Sequence, residues 1–256
     1  MSLLSIHELT MDFAGLRAVA NFSLDLAAGE LTAVIGPNGA GKTTIFNLIT
    51  GVYRPTAGRI TFRGQELTGL PPYRIAGLGV ARTFQNIRLF KELSVLDNVR
   101  IALYRQARYS FLSSLLRLPR FTRAEARLRE RAWELLEIFK LADLAAVPAK
   151  SLPYGQQRRL EMARALALDP TLLLLDEPAA GMNPAEVEAL LERLQWIHRE
   201  FRLTILLIEH HMRVVMGIAR QIKVLDFGQT IAEGTPDEVR NNPRVIEAYL
   251  GKEATS

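Results

Sequence analysis

The chain has 256 residues, 48% of them apolar, so it can bury a full core in one large domain without covalent staples. It contains no cysteine, which excludes a disulfide framework, a thiolate zinc site and a cysteine nucleophile. The net charge of +5 is spread out apart from a basic cluster between Arg105 and Arg131, and no zinc-finger, helix-turn-helix or aromatic-plus-basic RNA pattern accompanies it. The cluster reads as a solvated helical face, and no nucleic-acid partner is expected.

In chain order, the opening residues lack a basic segment followed by an apolar stretch, so neither a secretory signal nor a lipid anchor is expected. Residues 6–26 and 59–62 are strand-like and are expected to form a small antiparallel layer. Residues 31–35 form a short buried-strand pattern ending in a Gly-rich turn, and 42–50 read as a helix stopped by Gly51. The Arg-rich stretch from about 87 to 152 carries helical periodicity around Trp133, Leu136 and Phe139 without a convincing strand, which predicts a helical insertion. Residues 158–168 read as a further helix. Residues 172–175 and 204–208 are continuous apolar strands, as in a parallel sheet covered on both faces. Between them, 184–201 has Val187, Leu190, Leu191, Leu194 and Ile197 at helical spacing with Pro184 near its start, completing a strand-helix-strand unit. These apolar runs are strand-length, whereas a membrane-spanning helix needs about 20 apolar residues. The expected location is the cytoplasm or a cytoplasmic membrane face.

Gly36, Pro37, Asn38, Gly39, Ala40, Gly41, Lys42 and Thr43 match G-x-x-x-x-G-K-[ST] in full, between a predicted strand and a predicted helix. Glycines let the backbone N–H groups turn toward phosphate oxygens, and the helix dipole favours anionic charge there. Lys42 is placed to neutralise the β- and γ-phosphates, and the Thr43 hydroxyl to bind Mg²⁺. The strand at 172–175 ends in Asp176 and Glu177, with Asp176 placed to hold Mg²⁺ and Glu177 to polarise the attacking water. The strand at 204–208 ends in Glu209, His210 and His211, which makes His210 a candidate for contacting the γ-phosphate. Leu152, Pro153, Tyr154, Gly155 and Gln156 precede a helix whose start offers the Gly155 and Gln156 backbone donors to an anion.

These elements, in this order, resemble the ATP-binding subunit of an ABC transporter over nearly the whole chain. Three stretches resemble the branched-chain amino acid uptake systems most: RTFQNIRLF at 82–90, PAAGMNP at 178–184 and NPRVIEAYLG at 242–251. The resemblance implies a P-loop (RecA-like) α/β ATPase core with an inserted helical subdomain at about 86–157, a small antiparallel β subdomain and a C-terminal helical extension at 235–256, all one domain over 1–256. It implies that Thr44 joins the ATP-binding residues, that Phe13 stacks on adenine, and that Gln85 touches Mg²⁺ and senses the γ-phosphate. It also implies that Leu152 to Gln156 cap the ATP of a second, homologous subunit in a head-to-tail dimer, at the inner face of the plasma membrane. Two integral membrane permease subunits and, indirectly, a solute-binding protein complete the implied assembly.

Four residues depart from the superfamily pattern. Pro153 and Tyr154 stand where the signature usually has Ser and Gly, Asn183 replaces a common Asp, and His211 replaces a frequent Asp. Transport of another solute, lipopolysaccharide export and a soluble ABC ATPase are the alternatives. The last is expected to show two cassettes or a long coiled-coil insertion, and a GTPase would need an Asn-Lys-x-Asp element; this sequence has none of these.

Overall fold

The computed structural model describes residues 2–106, 115–116 and 118–253. Part of the basic cluster, including Arg108 and Arg117, lies outside the described residues. The described chain divides into two compact units, one of residues 1–82 with 171–256 and one of residues 83–170.

In the first unit, β1 (Ser2–Phe13) and β2 (Leu16–Ala27) form an antiparallel hairpin. Ala14 and Gly15, with φ of 43° and 92°, turn the chain between them, so the predicted strand-like stretch at 6–26 is two strands. β3 (Leu31–Ile35) leads through the glycine-rich turn into α1 (Lys42–Ile49). β4 (Ala57–Phe62) and β5 (Gln65–Glu66) extend the hairpin to a four-stranded sheet, order β2-β1-β4-β5. After α2 (Pro72–Gly77) comes the three-residue β6 (Val80–Arg82).

The second unit carries α3 (Val95–Leu103), α4 (Pro119–Ile138) and α5 (Tyr154–Leu166). α3 starts where the Ser94 hydroxyl accepts the Asp97 N–H, an N-cap worth about 1 kcal/mol. α4 buries Leu128, Ala132, Leu135 and Leu136 and turns Arg120, Arg123, Arg127 and Arg129 to solvent, as predicted for a solvated basic face. No strand lies in this unit among the described residues.

The first unit resumes with β7 (Leu172–Asp176), α6 (Pro184–Glu200), β8 (Thr204–Ile208), α7 (Met212–Ile218), β9 (Gln221–Asp226), β10 (Gln229–Gly234), α8 (Pro236–Arg240) and α9 (Pro243–Glu253). The six-stranded sheet has the order β10-β9-β3-β8-β7-β6, parallel throughout except for β10. Every residue of β3, β7 and β8 is buried, which is why these strands are apolar without alternation. Phe22, Phe46 and Phe62 lie in one apolar cluster that joins the antiparallel sheet, α1 and the parallel strands. Phe46 is fully buried there, and its truncation to alanine is expected to cost roughly 3–5 kcal/mol. Among the described residues no helix is long and apolar enough to cross a membrane.

Candidate active site

The central strands end in register: Val34 of β3 pairs with Ile208 of β8, which pairs with Asp176 of β7. The loop after β3, the carboxylates after β7 and the histidines after β8 therefore leave one edge of the sheet together.

The loop is held by backbone packing that only glycine permits. A Cβ on Gly36, at φ 150°, would lie 2.1 Å from the Leu225 carbonyl oxygen, and one on Gly41, at φ 99°, would lie 2.5 Å from that of Ala18. The Gly228 N–H donates to the Ala40 carbonyl at 3.1 Å and the Ala40 N–H to that of Pro37 at 3.2 Å. Pro37 is buried, while Asn38, Gly39 and Thr43 are exposed and Thr44 half-buried. Lys42 is buried, and its Nζ donates to the carbonyls of Gly36 at 2.7 Å and Pro37 at 2.9 Å, which centres the ammonium within the loop. α1 begins with no acidic residue in its first turn and no side-chain cap, so the positive end of its dipole is open to an anion. Phe13, half-buried at the end of β1, meets the Tyr53 ring edge-on, with centroids 5.1 Å apart.

At the end of β7, Asp176 is 1% exposed and its Oδ2 accepts from Arg82 Nη2 at 2.8 Å. Arg82 Nη1 also donates to Asn47 Oδ1 at 2.7 Å, and its guanidinium lies over the Phe46 ring. Arg82 thus ties β6 to β7 and α1, a role that sequence reading does not anticipate. Glu177 sits at φ 47°, a left-handed conformation costing about 1–3 kcal/mol for a non-glycine residue. Its N–H donates to the Ile208 carbonyl at 2.9 Å. This turn brings Glu177 Oε1 to 3.6 Å from His210 Nδ1, so the predicted acid and imidazole do meet.

Glu209, fully buried, is the second residue that sequence reading misses. Its carboxylate accepts the N–H groups of Ala179 at 2.9 Å, His210 at 2.8 Å and His211 at 2.9 Å, and so fixes the segments after both strands against each other. Asn183, in place of the common Asp, caps α6: its Oδ1 accepts from Ala185 and Glu186, and Glu186 accepts from the Asn183 N–H. His211 is the N-terminal flanking residue of α7 and stacks at a tilt on His210, centroids 4.6 Å apart.

In the other unit, Gln85 is exposed and Leu152 is buried at the approach to α5. Pro153 has extended backbone and flanks the helix start, where its missing N–H costs nothing. Of the two backbone donors expected here, the Gln156 N–H donates to the Pro153 carbonyl at 2.9 Å. The Tyr154 hydroxyl accepts from Arg158 Nε at 3.0 Å. Burial raises the Glu161 carboxyl above its ordinary value, although the Phe84 N–H and the Arg158 guanidinium pull it down.

Residues 19–180 match the ABC transporter family, and residues 229–255 match the family described as branched-chain amino acid ATP-binding cassette transporter. Over 250 residues the chain is 49% identical to the high-affinity branched-chain amino acid transport ATP-binding protein LivG of Escherichia coli (strain K12), covering 98% of each. It is 46% identical to the corresponding protein BraF of Pseudomonas aeruginosa, again over 98% of each. The crystal structure of the ADP conformation of MJ1267, an ATP-binding cassette of an ABC transporter, is similar at a TM-score of 0.83 and 31% identity, over 98% of this chain and 99% of that one. The chain belongs to the ABC transporter family and is one of its ATP-binding, ATP-hydrolysing cassettes.

Proposed function

We propose that this chain is the energy-coupling ATPase of an ABC importer for branched-chain amino acids. The observation that carries the catalytic part is the common sheet edge from which the Gly36–Thr43 loop, Asp176, Glu177 and His210 emerge, since ligands in open α/β sheets bind at the carboxyl ends of the strands. The backbone N–H groups at the start of α1 hold phosphate oxygens, the Lys42 ammonium neutralises their charge, and Phe13 stacks on adenine. The uncapped helix start and the centred ammonium suit an anion of this kind.

Thr43 and Asp176 are hard oxygen donors of the type Mg²⁺ takes, Gln85 is added to them by its motif alone, and Mg²⁺ is held through few carboxylates plus substrate phosphates rather than by a protein cage. Among the described residues no group of three or more His, Asp or Glu side chains is arranged to hold a metal ion by itself. When bound, Mg²⁺ neutralises the charge that develops on the phosphates. Glu177 takes the proton of the attacking water, and His210, 3.6 Å away, orients that carboxylate and reaches the γ-phosphate. The roles of Gln85 and of Leu152 to Gln156, which belong to the other unit, rest on their motifs: Gln85 senses the γ-phosphate, and the signature residues cap the ATP of a second, homologous subunit.

ATP binding closes that head-to-tail dimer and hydrolysis reopens it, which drives two membrane permease subunits from the inner face of the plasma membrane. The permease and an external binding protein select the solute. The branched-chain assignment is supported by LivG and BraF, both described as branched-chain amino acid transport proteins. Vesicles carrying this chain with its co-purified membrane subunits, ATP enclosed and the binding protein outside, should take up labelled leucine, isoleucine and valine. ATP-dependent transport that none of the three supports would overturn the solute assignment.

A further inference from the structure

The helix that follows the signature residues carries Arg158, Glu161 and Arg164 at intervals of three, which places them along one row of its surface. All three are spent on the backbone of a single segment, residues 84–88. Arg158 Nη1 donates to the Phe84 carbonyl and Nη2 to the Gln85 carbonyl. Glu161 Oε1 accepts the N–H of Phe84 at 3.1 Å and of Arg88 at 3.5 Å. Arg164 donates to the Arg88 carbonyl.

Arg158 and Glu161 are themselves paired at 3.1 Å, with side chains 3% and 6% exposed. Their charges therefore gain little from water and much from one another and from the backbone groups they hold, carbonyls for Arg158 and N–H groups for Glu161. A surface loop is ordinarily the mobile part of a fold. Here the loop bearing Gln85 is strapped to α5 from end to end, wholly within one compact unit.

The Tyr154 substitution belongs to the same network. Its hydroxyl accepts from Arg158 Nε at 3.0 Å and its ring lies under the guanidinium, 5.3 Å from centroid to Cζ. A glycine at this position could make neither contact. One guanidinium thus touches the signature segment through Tyr154 and the Gln85 carbonyl through Nη2.

We infer that Arg158, buttressed by Tyr154 and Glu161, is the positioning residue that makes the Gln85 loop and the signature helix move as one body. A shift of Gln85 toward or away from this chain's own ATP is then transmitted as a shift of the cap over the partner's ATP. This inference rests on the roles proposed above for Gln85 and the signature residues. Tyr154 serves this coupling in place of the usual small residue.

The test compares wild type, Arg158→Lys and Tyr154→Phe, each as the full chain for ATP binding and each in the assembled transporter for turnover. Lysine keeps the charge but loses the fork that grips two carbonyls at once. The expected Arg158→Lys result is unchanged ATP affinity, kcat lowered by about tenfold to hundredfold through misplacement, and KM little altered. Its Hill coefficient falls toward about 1, from a ceiling of about 2 for two sites. Tyr154→Phe removes a single hydroxyl, should lower the Hill coefficient with the melting temperature unchanged, and decides the matter alone if Arg158→Lys does not fold. Wild-type cooperativity and kcat in the variants would overturn the inference. So would loss of ATP affinity in step with turnover, because Arg158 would then only maintain the fold. A wild-type transporter without cooperativity would remove the paired-site reading, and this coupling with it, before any variant is compared.

Discussion

Replacing Arg82 with alanine tests how the acidic end of β7 is held. The Arg82 and Asp176 side chains are 5% and 1% exposed and meet at 2.8 Å, so the substitution takes the guanidinium from a carboxylate that solvent does not reach. It also removes the hydrogen bond to Asn47 and the cation over Phe46. Removing one partner of a buried pair costs about 3–5 kcal/mol, against about 0–1 kcal/mol for an exposed pair. For a unit of this size each kcal/mol moves the melting temperature by roughly 2–4 °C, so a fall of about 6–20 °C is expected. The assay is thermal unfolding followed by Trp196 fluorescence in a Trp133→Phe background, because Trp196 lies in the same unit as Arg82 and Trp133 in the other. Substituting both partners with apolar residues should recover much of the loss. A fall of less than about 4 °C for Arg82→Ala, the range of an exposed pair, would refute the claim that this guanidinium anchors the site.

Lys42→Ala should abolish ATP binding in an equilibrium nucleotide titration, and unimpaired binding would remove the phosphate role assigned to the loop. Gly36→Ala forces a Cβ to within 2.1 Å of the Leu225 carbonyl, a backbone atom that cannot swing aside, so the loop must shift and ATP affinity should drop. Wild-type affinity in that variant would show that the loop tolerates rearrangement. Glu161, whose pKa is raised on folding, contributes stability that is fully present below its unfolded value near 4.5 and lost as pH rises through the elevated folded value. Melting temperatures of wild type and Glu161→Gln, compared across that window, should therefore diverge with rising pH, with wild type losing ground. Parallel curves would contradict the raised value.

What the sequence shows about this molecule follows from how local each signal is. β3, β7 and β8 are legible because strands buried on both faces are apolar without interruption, and the residues at their ends stand next to them in the chain. β6 has three residues, too few for a period, and β9 carries Lys223 at its centre, so neither announces itself. That lysine is tolerated because its Nζ donates to the Ser23 carbonyl at 2.6 Å and pairs with Glu233, partners that only the folded sheets supply.

The same distinction divides the site. The glycines, Lys42 and the Asp176–Glu177 pair form contiguous motifs. The Arg82–Asp176 pair joins positions 94 residues apart, and Arg158 reaches the Gln85 carbonyl across 73. In the sequence Glu209 is visible only as the neighbour of two histidines, because nothing in a Glu-His-His run says that its carboxylate will collect three backbone N–H groups.

Hydrolysis at this sheet edge depends on Glu177 acting as the base, and the most direct measurement of that role is ATP binding and turnover by Glu177→Gln in the assembled transporter. Glutamine keeps the shape and the position beside His210 but cannot take a proton. ATP binding should remain at wild-type affinity while turnover falls by about 10²–10⁴-fold, the usual contribution of a positioned base. Turnover near the wild-type rate would remove Glu177 from the role of base.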